Sequence, residues 1–175
     1  QTDSSLLDEW ESMTHPDNPT VHAGIAAAPV RPLSANEVAL RTMIRKAMWR
    51  RVELAARDDL SGLYAVEQAS ADLTDPPGEV VMDRSAWDEA LGAYWEEHSE
   101  ILLDANARGP RHLAIETDPD VTTDRDDEPG RWWHVRQTLA DPDEHHDWVI
   151  EAQVDLDATD AVGELVLRST ALRRL

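Results

Sequence analysis

From Ala35 to about Asp58 the apolar residues recur at helical spacing. At 100° per residue Leu40, Met43, Ile44, Ala47, Met48, Leu54 and Ala55 gather on one side. Ser34-Ala35-Asn36-Glu37 has the form of a capping box, with Ser at the cap and Glu three residues on. Asp59 to Ala69 predicts a short second helix interrupted by Gly62. Pro76-Pro77-Gly78 marks a turn within Asp72 to Gly78, ahead of a brief strand over Glu79 to Met82. A third helix, capped by Asp83 or Ser85, sets Trp87, Leu91, Tyr94, Trp95, His98, Ile101 and Leu102 on one face.

From residue 111 the period changes to two. Leu113 and Ile115 alternate with Ala114 and Glu116, and Trp133, Val135 and Leu139 with Trp132, His134, Arg136 and Thr138. The clearest strand runs from Asp147 to Asp157. Trp148, Ile150, Ala152, Val154 and Leu156 share one face, and Val149, Glu151, Gln153 and Asp155 share the other, the half-buried pattern of an antiparallel sheet. Ala158 to Gly163 then turns the chain into a last strand, Glu164 to Leu172. Three helices followed by a curved meander predict an α+β domain over residues 34–175, with the helices on the concave side of the sheet.

Ahead of that domain, Leu6, Leu7, Trp10 and Met13 make one face of a helix over Asp3 to Met13, too short to bury itself without a neighbour. Pro16, Pro19, Pro29 and Pro32 punctuate Thr14 to Leu33, each removing a backbone donor, so residues 14–33 are expected as an extended linker. The chain opens on Gln1 rather than Met, as expected of a fragment or a processed product.

Charge narrows the function classes. The 175 residues carry 16 Lys+Arg against 36 Asp+Glu, a net charge of −20, which repels nucleic acid and anionic membrane as a whole. The absence of cysteine excludes disulfides, zinc–thiolate sites, iron–sulfur clusters and thiol catalysis. No apolar run approaches a membrane span and no signal-peptide pattern opens the chain, so a soluble, cytoplasmic protein is expected. The single lysine, Lys46, follows Arg45, so no Gly-Lys-Ser/Thr phosphate loop exists in this segment. Gly-x-Ser-x-Gly, His-Glu-x-x-His and Gly-x-Gly-x-x-Gly are missing too.

Two acidic stretches invite a metal reading. Asp118, Asp120, Asp124, Asp126 and Asp127 crowd the loop from Glu116 to Glu128, but the glycine and bidentate Glu of a calcium loop are out of register, so we take it as a solvated loop. Asp141-Pro142-Asp143-Glu144-His145-His146-Asp147 forms a hairpin loop. Its adjacent histidines point to opposite faces if the backbone is extended, so no metal is assigned there.

The first helix is the one basic region, with six basic residues between Arg41 and Arg57 against Glu53. Arg41, Arg45, Lys46 and Arg50 are the candidate contacts for nucleic acid or an acidic partner. Pairing with the surplus carboxylates is the plainer reading. Arg51 falls inside the apolar arc, where an unpaired guanidinium is prohibitive, so it must be paired or line a cavity. With Tyr94 and His98 it could face a pocket between helices and sheet. That arrangement would make a stand-alone small-molecule-binding module or an enzyme, with His98 as acid or base, Tyr94 as donor and Arg51 as anion anchor. Dimerisation through the outer sheet face would rest on Trp132 and Val149 alone.

The order of elements resembles the cone-shaped nuclear-transport-factor-2-like (cystatin-like) fold, which hosts many functions. A more specific resemblance lies in Ser4-Ser5-Leu6-Leu7-Asp8-Glu9-Trp10-Glu11, Val30-Arg31-Pro32-Leu33-Ser34, Arg51-Val52-Glu53-Leu54, and His146-Asp147-Trp148 leading into Glu151-Ala152-Gln153-Val154-Asp155-Leu156. These segments are similar to the C-terminal region of actinobacterial DEAD/DEAH-box superfamily II helicases, an extension of unknown function. The resemblance implies that ATP, Mg and strand separation belong to two recombinase-like lobes upstream, with no cofactor in this segment. It makes residues 1–13 the end of the preceding helicase region and residues 14–33 a tether. Residues 34–175 become a non-catalytic accessory domain. Its implied partners are the upstream lobes of the same chain and nucleic acid through the parent protein. A homodimer is a separate expectation, and no membrane partner is expected.

Overall fold

Helix-forming and strand-forming patterns separate along the chain as the alternation of periods requires. The computed structural model of the chain describes residues 31–117 and 130–175. The helix expected over Asp3 to Met13, most of the linker and the acidic loop from Asp118 onward lie outside the described residues. A unit running Pro32–Leu175 contains α1 (Glu37–Ala56), α2 (Leu60–Ala71), α3 (Arg84–Glu97), β1 (Leu113–Glu116), β2 (Trp132–Thr138), β3 (Trp148–Asp155), α4 (Leu156–Val162) and β4 (Leu167–Arg174). The fold is α+β, with the first three helices ahead of the strands.

The four strands pair in the order β1-β2-β3-β4, each antiparallel to the next. Register puts Trp133 opposite Val154, Val135 opposite Ala152 and Gln137 opposite Ile150, so one face collects the buried side chains. These join Leu40, Ile44, Met48 and Val52 of α1, Leu63 of α2 and Trp87, Leu91 and Tyr94 of α3 in the core. In β4 the pairing steps from Ser169 opposite Ala152 to Ala171 opposite Glu151, passing over Thr170. This β-bulge puts Leu167, Ser169 and Leu172 all on the buried face, which strict alternation would forbid.

Several boundaries differ from the sequence pattern, each for a local reason. Asn36 caps α1, its side chain accepting from the Ala39 N–H at 3.1 Å. Ser34 lies instead in a 3-10 turn, Leu33–Ala35, and is engaged elsewhere. Its N–H and hydroxyl donate to the two carboxylate oxygens of Asp160 at 2.8 and 2.6 Å, tying that turn to α4. Gly62 does not interrupt α2. It sits in the first turn, donating its N–H to the capping Asp59 at 2.8 Å. No strand forms over residues 79–82. Ala158 to Gly163 is no simple turn: Asp155 caps a seven-residue helix by accepting from the Ala158 N–H, and Gly163 closes it at φ 78°. The Ser34 tie carries a prediction. Ser34→Ala should lower stability by about 1–2 kcal/mol, the worth of a hydrogen bond to a charged acceptor, read as a shift in urea midpoint at constant slope.

Helix α3 stops at Glu97, one turn short of its apolar stripe. Its end carries Glu96 and Glu97 with no basic residue in the last turn, so no charge there complements the helix dipole and the stop is made by contacts beyond the helix. His98 donates its N–H to the Tyr94 carbonyl at 2.9 Å and takes an extended conformation. Ile101 stays buried, and Leu102 donates its N–H to the Ala140 carbonyl at 2.8 Å. The chain is thereby drawn against the β2–β3 hairpin.

Candidate functional site

That hairpin loop, Asp141 to Asp147, is organised by one carboxylate. Asp141 is 1 % exposed. Its Oδ1 accepts from the N–H groups of Asp143 and His145, both at 3.0 Å, and its Oδ2 accepts from the His146 N–H at 2.8 Å. Burial pushes the Asp141 carboxyl up, but these backbone donors and the neighbouring His98 outweigh it and hold the group below the usual carboxylate range. Glu144 and His146 take left-handed backbone, φ 56° and 50°, so the loop is far from extended. His145 therefore turns towards His98 (ring centroids 5.5 Å), while His146 turns towards His112 (5.0 Å).

His98 is the centre of the site. It is buried at the end of α3, with Nδ1 2.9 Å from Asp143 Oδ2 and 3.8 Å from Asp141 Oδ1. Its Nε2 lies 3.9 Å from Asp147 Oδ1, and both of those atoms are buried without a hydrogen-bond partner. Three carboxylates thus surround one imidazole. Tyr94 registers the resulting field: burial first, then Asp141, Asp143, Asp147 and Glu100, push its phenol well above the ordinary range. Its hydroxyl donates to the Glu100 carbonyl at 2.8 Å, and its ring packs 5.2 Å from His98 and 5.5 Å from Trp148. One nitrogen or oxygen from each of His98, Asp141, Asp143 and His145 falls in a set whose atoms all lie within 4.8 Å of one another. On the far side of the loop, burial, followed by His146 and Arg111, pushes the His112 imidazole down.

Arg51 is not part of this cluster. Its Nε donates to Glu67 Oε1 and Ser169 Oγ, both at 2.8 Å, and its Nη1 donates to the Ala47 carbonyl at 3.0 Å. Glu67 also accepts from the Ser169 N–H at 3.0 Å and the Ser169 hydroxyl at 2.5 Å. Arg51 is therefore paired, one of its two expected outcomes, and the site expected from Arg51, Tyr94 and His98 divides. Tyr94 and His98 meet at the hairpin loop, whereas Arg51 joins α1, α2 and β4. An open groove of about 440 Å³ lies between α3 and β4, lined by Ala90, Ala93 and Leu172 among others. A small one beside α2 is lined by Glu67 and Trp132 among others. Neither is lined by Arg51, Tyr94 or His98.

On α1, Arg41 pairs with Glu37 at 2.8 Å and lies over the Trp133 ring, and Arg50 approaches Glu53 at 4.0 Å. Arg45 and Lys46 are exposed, without a partner among the described residues. The outer sheet face offers little apolar surface, since Val149 is fully buried and the Arg168 guanidinium covers Trp132 at 4.6 Å. Periodicity could not reach Asp141 or Glu67, whose partners lie in other elements. The one legible sign was the density of Asp and His in the loop.

A family model, described as a domain of unknown function (DUF3516), matches residues 1–172. The chain belongs to the DUF3516 family. No curated protein and no solved structure matches it. Among the described residues of this DUF3516 chain no helix is long and apolar enough to cross a membrane.

Proposed function

We propose that this DUF3516 chain is a non-catalytic accessory domain joined C-terminally to the lobes of a cytoplasmic, ATP-dependent DEAD/DEAH-box RNA or DNA helicase. There it would regulate the motor through protein–protein contact or self-association. The observation that carries this reading is extent. The segments that resemble the helicase extension are spread from Ser4 to Leu156. The family match over residues 1–172, which itself names no helicase, supports treating them as one unit rather than a borrowed motif. The state of the interior agrees with it, because Arg51 is committed to Glu67 and Ser169 and is not available as an anion anchor. ATP and Mg belong, on this reading, to the upstream lobes.

The test has two stages. The reading frame upstream should encode a Gly-Lys-Ser/Thr loop and an Asp-Glu-x-His box. Deleting residues 34–175 from that parent should then change nucleic-acid-stimulated ATP hydrolysis severalfold while sparing the basal rate. No helicase in frame, or identical stimulation after deletion, overturns the proposal.

Direct strand contact through α1 is testable separately. Of the four candidate cations, Arg45 and Lys46 have no partner among the described residues, on a chain of net charge −20. Changing Arg41, Arg45, Lys46 and Arg50 together to Gln should therefore leave the parent helicase's nucleic-acid affinity and salt slope unchanged. A slope shallower by about 0.9 per lost phosphate contact would place the strand on this helix instead.

A further inference from the structure

We propose that His98, Asp141, Asp143 and His145 form a binding site for one divalent cation of the zinc class. Four side chains from two separate segments, the end of α3 and the β2–β3 loop, bring one donor atom each within 4.8 Å of the others. A tetrahedral zinc ion with bonds of about 2.0–2.2 Å needs its ligands roughly 3.3–3.5 Å apart. The set is thus slightly open and closes by small side-chain movements, because Asp143 and His145 are exposed and Asp143 already reaches His98 Nδ1 at 2.9 Å.

A second feature points to a metal rather than to a simple hydrogen bond. A metal-ligating histidine donates its other ring N–H to a carboxylate, which fixes the tautomer and raises ligand basicity. His98 has such a partner waiting. Its Nε2 and Asp147 Oδ1 face each other at 3.9 Å, both buried and both without a hydrogen bond. In the metal-free chain the 2.9 Å contact between Nδ1 and Asp143 Oδ2 holds a proton. An ion displaces it, and with the remaining proton on Nε2 directed at Asp147 the Nδ1 lone pair becomes a ligand beside Asp143 and Asp141. Two imidazoles with two carboxylates suit zinc and its neighbours, whereas calcium and magnesium take oxygen ligands. Charge agrees, because Asp141, Asp143 and Asp147 crowd one buried imidazole and a divalent ion offsets their mutual repulsion. The backbone bonds from the loop to Asp141 hold that ligand in place. This inference is independent of the helicase reading.

The experiment is titration of the chelator-stripped chain, residues 1–175, with zinc chloride, followed by calorimetry and by tryptophan fluorescence, since Trp148 adjoins Tyr94. One zinc per chain is expected, reversed by chelator and not displaced by millimolar calcium or magnesium. Asp143→Asn and His145→Ala should each weaken binding at least tenfold. His145→Ala, at an exposed position, should do so without lowering the melting temperature of the metal-free chain. Asp143→Asn also removes the 2.9 Å contact with His98, so its binding is compared at a temperature where that variant is fully folded. Asp147→Asn should weaken it by about 10–100-fold as the positioning residue. His146→Ala should leave it unchanged. Failure to saturate below about 100 μM zinc, an affinity indifferent to Asp143 and His145, or one lost with His146 would each overturn the assignment. The last would move the ion to the His112–His146 pair.

Discussion

Glu67→Gln should destabilise the fold by about 3–5 kcal/mol, the cost of leaving a buried charge without its partner. The Arg51–Glu67 pair is 2.8 Å long, with side chains 5 % and 1 % exposed. Ser169 closes the triangle by giving both its N–H and its hydroxyl to Glu67. One carboxylate thus links α1, α2 and β4. Arg51→Met should cost a similar amount, but the paired change Arg51→Met with Glu67→Leu should recover most of it, because two apolar groups of similar volume need no partner. Equilibrium unfolding in urea checks all three variants. Losses that simply add in the double variant would show that the network is not a coupled unit.

The same network shows how far the sequence can be read. A guanidinium in the middle of an apolar arc is legible as a residue that must find a partner, and Arg51 stands out on α1 for that reason. The partner is not legible. Glu67 lies on the neighbouring helix, and Ser169 is a short polar residue on a strand whose alternation a bulge resets at Thr170. Regular periodicity carries the rest of the fold well: the alternation across Trp148 to Asp155 marks β3, and the 3.6 period marks α1 and the first three turns of α3. It misleads where an apolar stripe outlasts its helix. Trp87, Leu91, Tyr94, His98 and Ile101 keep helical spacing, yet His98 turns extended and the bond from Leu102 to Ala140 draws the chain after it into an extended strap. In the hairpin loop the two adjacent histidines do point apart, as the spacing suggests, but not on extended backbone. Glu144 and His146 are left-handed, in a loop whose N–H groups converge on Asp141.

That dependence on Asp141 makes the loop's behaviour predictable. With chelator present, so that no cation contributes, Asp141→Ala should lower stability by about 2–4 kcal/mol. Three backbone N–H groups, on Asp143, His145 and His146, lose a charged acceptor, and each such bond is worth roughly 1.5–3 kcal/mol before water replaces part of it in this partly exposed loop. Asp141→Asn separates the bonds from the charge. An amide oxygen in the Oδ1 position still accepts from Asp143 and His145, while the NH2 group meets the His146 N–H donor to donor. The Asn variant should therefore lose about half as much as the Ala variant, with faster amide exchange confined to His146. If instead the two variants are equally destabilised, the loop is held by the negative charge facing His98 at 3.8 Å and not by the individual bonds. Exchange would then rise at all three amides together. The distinction matters for the cation site, because bonds that fix the Asp141 carboxylate in the metal-free chain fix a ligand before any ion arrives. An ion entering such a site has mainly His145 left to order, since Asp143 already reaches His98 at 2.9 Å.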